Sequence, residues 1–77
     1  MAVSLACLRP GQSGIVAGFD RVDELTQRLM HLGVIDGTPV EVVRCAPAGD
    51  PIEIRVMGYA LSLRRSEAEA ILIDEVR

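Results

Sequence analysis

The chain has 77 residues, with eight Arg and no Lys, eleven acidic residues, one His and a formal net charge of −3. That acidic balance, with Phe19 and Tyr59 as the only aromatics, excludes a broad phosphate-binding surface and the stacking platforms of single-strand nucleic-acid binders. A hydrophobic fraction of 49% is too high for a disordered chain, yet no apolar run approaches the roughly 20 residues of a membrane span.

The length allows one domain, residues 1–77. Ser4-Leu5-Ala6-Cys7 superficially looks like a lipoprotein cleavage box, but only six residues precede Cys7 and none is basic. No export signal is read, and the cytoplasm is the expected compartment. Cys7 and Cys45 are accordingly expected as unpaired, half-buried side chains in strands.

In chain order, Val3 to Leu8 reads as a short apolar strand, closed by the turn residues Arg9 to Gly14. Gly14 to Phe19 is a second, β-branched strand flanked by glycines. Asp20 is placed to cap a helix over about 21–32, with Val22, Leu25, Leu29 and Leu32 forming one apolar stripe at the 3.6-residue period. Gly33 stops that helix by adopting the left-handed conformation.

Val40 to Cys45 and Ile52 to Met57 read as the next two strands, the second alternating with Ile52, Ile54 and Val56 inward. The loop Ala46-Pro47-Ala48-Gly49-Asp50-Pro51 joins them as a hairpin, with both prolines clear of the ladder. Gly58 links to a strand over Tyr59 to Arg64. Ser66 and Glu69 have capping-box spacing for a helical turn near 66–70, and Ile71 to Val76 is the last strand. Without long strand–helix alternation, five to six short strands are expected to pair antiparallel and curl into a small barrel, with the helix across one opening.

The residues offer little chemistry. The lone imidazole, His31, lies on the helix's polar side with no nucleophile paired to it, and the carboxylates are spaced as solvated charges are. No phosphate loop and no dinucleotide fingerprint is present. A tetrahedral metal site needs four close ligands, and Cys7, His31 and Cys45 are far apart. No enzyme, cofactor or metal centre is therefore expected. His31 with Glu24, or with ligands from a second chain, is the first place to look should a metal bind.

A compact surface for a protein partner is what remains. Interfaces favour Met, Tyr and Arg, which makes Arg28, Met30, Tyr59 and Arg64 the expected anchors. His31 lies beside them on the helix edge, and the loop residues Pro47, Asp50 and Pro51 form a rigid tip. The exposed strand edges of so small a barrel would also permit pairing into a homodimer.

Taken in order, Arg28-Leu29-Met30-His31-Leu32-Gly33-Val34, Gly37, Ala46-Pro47-Ala48-Gly49-Asp50-Pro51-Ile52, Gly58-Tyr59-Ala60-Leu61-Ser62-Leu63-Arg64 and Glu67-Ala68 resemble the ferrous-iron transport protein A (FeoA) family across essentially the whole chain. Asp36 before Gly37 departs from that pattern, where the family commonly carries Pro, although Asp also suits a turn. The resemblance implies an SH3-like antiparallel β-barrel and a small cytosolic accessory with no catalytic residues. Its implied partner is the cytosolic G-protein domain of the ferrous-iron permease. Partner contacts are then expected around Arg28 to His31 and Ala46 to Pro51, with no nucleic acid and no membrane insertion. Gly33, Gly37, Gly49 and Gly58 are expected to serve backbone geometry, and Leu29 and Leu32 the core. The alternative is a metal-responsive module akin to the SH3-like domain ending bacterial iron-dependent repressors. That domain is normally fused to a helix-turn-helix region, so a chain opening at Met1 is expected to be the transport accessory.

Overall fold

The computed structural model describes residues 2–77. Its elements are β1 (Val3–Ser4), a 3-10 turn (Leu5–Cys7), β2 (Ser13–Phe19), α1 (Glu24–His31), β3 (Pro39–Cys45), β4 (Ile52–Val56), β5 (Tyr59–Leu63), α2 (Arg65–Ala70) and β6 (Ile71–Asp74). The strands form one antiparallel sheet in the order β1-β6-β2-β3-β4-β5.

Alternation decides which side of each strand is buried. Val40 and Val42 on β3, Ile52, Ile54 and Val56 on β4, and Ile71 and Ile73 on β6 turn inward and meet Leu5, Val16, Leu29 and Val34 in one core. Register shifts between Val16 and Gly18 on β2 and between Val42 and Arg44 on β3 each insert one extra residue. Such bulges bend the sheet around its inner face, and the molecule measures 28 × 24 × 23 Å.

Several expectations need correction. The first strand is only two residues long, because the Ser4 hydroxyl accepts from the Ala6 amide and winds Leu5 to Cys7 into a 3-10 turn. That turn carries Leu5 into the core and leaves Cys7 exposed, while Cys45 ends β3 half-buried.

Helix α1 starts at Glu24 rather than near 21, and its cap is Asp23 rather than Asp20. Asp23 Oδ1 accepts from the Thr26 amide at 3.0 Å, and Thr26 Oγ1 accepts from the Asp23 amide at 2.9 Å. This reciprocal pair satisfies two donors that a helix start leaves open. The Asp20 amide is occupied elsewhere, on the Ala70 carbonyl. Val22 therefore lies outside the helix at 74% exposure, Leu32 is exposed at its end, and Thr26 with Leu29 forms the buried contact.

The second cap is displaced in the same way. Helix α2 opens at Arg65, and it is Glu67 whose Oε1 accepts from the Arg64 amide at 2.7 Å, not Glu69 reaching back to Ser66. The β2 and β6 backbones approach closely at Gly14, where a Cβ would stand 2.3 Å from Ile73 Cγ2 and 2.7 Å from the Asp74 carbonyl.

Candidate partner-binding groove

The expected solvation of the carboxylates fails at one place. Glu67 lies under the groove between α1, the end of β5 and the β3–β4 loop, with its side chain 3% exposed. Burying a carboxylate is costly unless its oxygens are occupied. Here Oε1 accepts from the Arg64 amide and Oε2 pairs with the Arg28 guanidinium, so both are.

Arg28 reaches this position because it lies on α1 one residue before the buried Leu29, on the side facing α2. Its side chain remains 64% exposed, so it closes over Glu67 while keeping nitrogens in water. The other wall is built from Ser62 and Leu63 at the end of β5, together with Arg64. Asp50 and Pro51 bound the groove from the hairpin loop, and the volume enclosed is about 520 Å³.

The loop itself is held by backbone bonds. The Ala46 amide donates to the Pro51 carbonyl at 3.0 Å, the Gly49 amide to the Ala46 carbonyl at 2.7 Å, and the Arg65 amide to Asp50 Oδ1 at 3.2 Å. Asp50 is thus fastened to the start of α2 and presents Pro51 to the groove. Arg64 differs from its neighbours, since its guanidinium meets no partner among the described residues.

Of the eight residues expected to contact a partner, Arg28, Asp50, Pro51 and Arg64 line this groove. Tyr59 sits at the other end of β5 and donates its hydroxyl to the Leu32 carbonyl, closing the end of α1 beside Gly33. Met30, half-buried on another side of α1, lines a separate shallow pocket with Phe19, Val22 and Ile35. His31 and Pro47 are exposed and line neither. Among the described residues no three His, Cys, Asp or Glu side chains gather to hold a metal ion, His31 included.

Ser62, Leu63 and Glu67 are the groove residues that sequence reasoning missed. The usable signal for Glu67 was its position three residues after Arg64, where a strand ends and a helix begins, which is the spacing of a side chain that reaches back to the cap. Ser66 and Glu69 offered the same spacing with a better capping residue, and masked it.

The class this fold and site define is a small β-domain with an open, charged groove on one side. The FeoA domain model matches residues 3–75, and the chain belongs to the FeoA family. A fusion of Fe(2+) transport protein A with the Fe(2+) transporter FeoB from Porphyromonas gingivalis is 31% identical over 70 residues, or 91% of this chain. The chain spans only 8% of that relative's length.

Two solved structures superpose closely. The FeoA-like protein of Clostridium acetobutylicum is 34% identical, covers 95% of this chain and 85% of its own, and gives a TM-score of 0.88. The zinc complex of Stenotrophomonas maltophilia FeoA, described as a prokaryotic SH3 domain protein, is 28% identical over 99% of this chain and 96% of its own, also at 0.88. The six antiparallel strands and two helices are accordingly an SH3-like fold. No helix among the described residues is long and apolar enough to cross a membrane.

Proposed function

We propose that this chain binds the cytosolic part of a ferrous-iron transporter and tunes its activity, using the Arg28–Arg64 groove as the contact. The observation that carries the reading is the fusion in the P. gingivalis relative, where one chain holds both a transport protein A and a transporter. Covalent linkage raises the effective concentration of one module at the other, which is useful when the two associate. The groove supplies a recessed contact with charged groups on its walls, suited to a specific and reversible partner. This reading places the chain in the cytoplasm, held to the membrane only through the transporter.

The test is a titration of the chain against the transporter's cytosolic domain, with GDP and then a non-hydrolysable GTP analogue, each with and without Fe²⁺. Micromolar or tighter binding is expected. A difference between nucleotides identifies a regulator of the G-protein cycle, and equal binding identifies a scaffold. No binding in any condition by folded protein overturns the proposal.

A further inference from the structure

The edge of the sheet beside the groove is unguarded. Among the described residues β5 is the terminal strand and pairs only with β4, in an unbroken register from Val56↔Tyr59 to Ile52↔Leu63. The two strands are joined by Met57 and Gly58, with φ of 55° and 84°, which is the two-residue mirror-image turn of a tight hairpin. In such a hairpin the closing pair, Val56 and Tyr59, exchanges both backbone hydrogen bonds, and bonded and non-bonded pairs then alternate. Leu61 and Leu63 consequently direct their peptide groups to β4, whereas Ala60 and Ser62 direct theirs away from the sheet. Both are exposed.

Natural edge strands are guarded by charge, proline, bulges or brevity. Tyr59–Leu63 has none of the first three and is five residues long. The opposite edge, β1, is only two residues long and turns at once into the 3-10 segment. Ser62 belongs both to the open edge and to the groove wall, so the two features are continuous. Just beyond it stands the Arg64 guanidinium, which meets no partner among the described residues, while Arg28 across the groove is already paired with Glu67 and the Asp50 carboxylate is fastened to the Arg65 amide.

We infer that β5 and the groove form one docking site for an extended acidic segment of a partner protein. The segment's main chain adds to the sheet at Ala60 and Ser62, and a carboxylate side chain past Ser62 pairs with Arg64. The acid selects this occupant over a second copy. Tyr59–Leu63 contains no carboxylate, so β5 pairing with itself about Leu61 would set Gly58 opposite Arg64 and leave the guanidinium without a counter-charge.

This inference rests on the proposed transporter partner, and its test separates the two. Amide spectra of the ¹⁵N-labelled chain are followed while the transporter's cytosolic domain is added, and affinities are compared for the wild type, Arg64→Glu, Ser62→Pro and Arg9→Glu. Proline at 62 removes an outward N–H without removing a ladder bond, and Arg9→Glu makes the same charge change outside the groove. Expected are shifts concentrated at residues 60–64, slowed exchange of the Ala60 and Ser62 amides, and binding weakened about ten-fold by Arg64→Glu and by Ser62→Pro. Arg9→Glu is expected to change affinity by less than about two-fold, since an exposed charge away from the contact acts only through screened steering. Undiminished binding by folded Arg64→Glu and Ser62→Pro proteins, with shifts elsewhere, overturns the docking site and leaves the proposed function standing. Absence of binding overturns both. Concentration-dependent shifts at residues 59–63 in the chain alone identify a second copy as the occupant and overturn the acidic segment.

Discussion

Glu67 on α2 holds the Arg28 guanidinium of α1 on one carboxylate oxygen, across thirty-nine residues of chain, while its other oxygen caps its own helix. One buried side chain thus ties three separate pieces together: the face of α1, the end of β5 and the first turn of α2. The groove wall at Arg28 and the start of α2 that fastens Asp50 are both positioned through it.

Removing that carboxylate should loosen the fold as well as the groove. Glu67→Ala deletes a cap acceptor and a half-buried ion pair, and a loss of about 2 kcal/mol is expected, tempered by the water around Arg28. For a domain of this size that corresponds to a melting temperature lower by roughly 10 °C. Glu67→Gln keeps an oxygen for the Arg64 amide but turns an NH2 donor toward the Arg28 guanidinium, so it retains the cap, loses the ion pair and its acceptor, and is expected to show a smaller drop than Glu67→Ala. Thermal melts of the two variants that coincide with the wild type would show that the pair contributes nothing.

Leu29 and Val22 separate the real helix face from the one that periodicity drew. Leu29 is fully buried and Val22 is 74% exposed. Leu29→Ala should cost about 2–5 kcal/mol, a large part of the stability of any domain this small. Val22→Ala should change it by less than about 0.5 kcal/mol. Urea unfolding of both proteins checks the contrast, and equal midpoints would contradict the placement of α1.

The cap of α1 makes the helix sensitive to acid. The hydrogen bond from the Thr26 amide, aided by the neighbouring Arg21, holds the Asp23 carboxyl below its ordinary value of 3.8. A carboxyl with a lowered native value binds protons more readily in the unfolded chain. Its contribution is therefore complete above about 3.8 and fades as the pH falls through the lower native value. Amide exchange at Thr26 should accelerate relative to the core strands below that pH. In Asp23→Ala this acid-dependent difference should disappear, the amide being unprotected throughout.

Gly14 is a position where any side chain should fail. Its missing Cβ faces a core methyl of Ile73 and the Asp74 backbone at distances no real Cβ adopts. Gly14→Ala must push β2 from β6, and a cost of at least about 1–3 kcal/mol is expected from overpacking alone. Gly11→Ala, in the turn that precedes β2, has open space and pays only for its positive φ. Melting both variants tests the close approach, which is contradicted if Gly14→Ala is the more stable of the two.

The strands were legible because their information is local. Alternation of Ile52, Ile54 and Val56, the turn glycines and the helix stop at Gly33 each lie within a few residues of one another. The errors came where two local solutions were equally good. Asp20 and Asp23 both precede an apolar run, and the tie is broken by Thr26 answering Asp23 and by the distant Ala70 carbonyl taking the Asp20 amide. Ser66–Glu69 and Arg64–Glu67 share one spacing, and Arg28, on another helix, decides between them by drawing Glu67 inward.

The groove shows the same division. Arg28, Asp50, Pro51 and Arg64 were identifiable singly, by residue type and by resemblance to a family. That they share one groove while Tyr59, Met30, His31 and Pro47 do not follows from the sheet order and from the side of α1 on which each side chain emerges. Residue patterns along the chain determine which segments become strands, turns and helices, because sterics and burial act over a few residues. Which carboxylate is buried, and that Arg28 pairs with it, is decided by packing between segments far apart in sequence, where the cost of an unpaired buried charge selects a single arrangement.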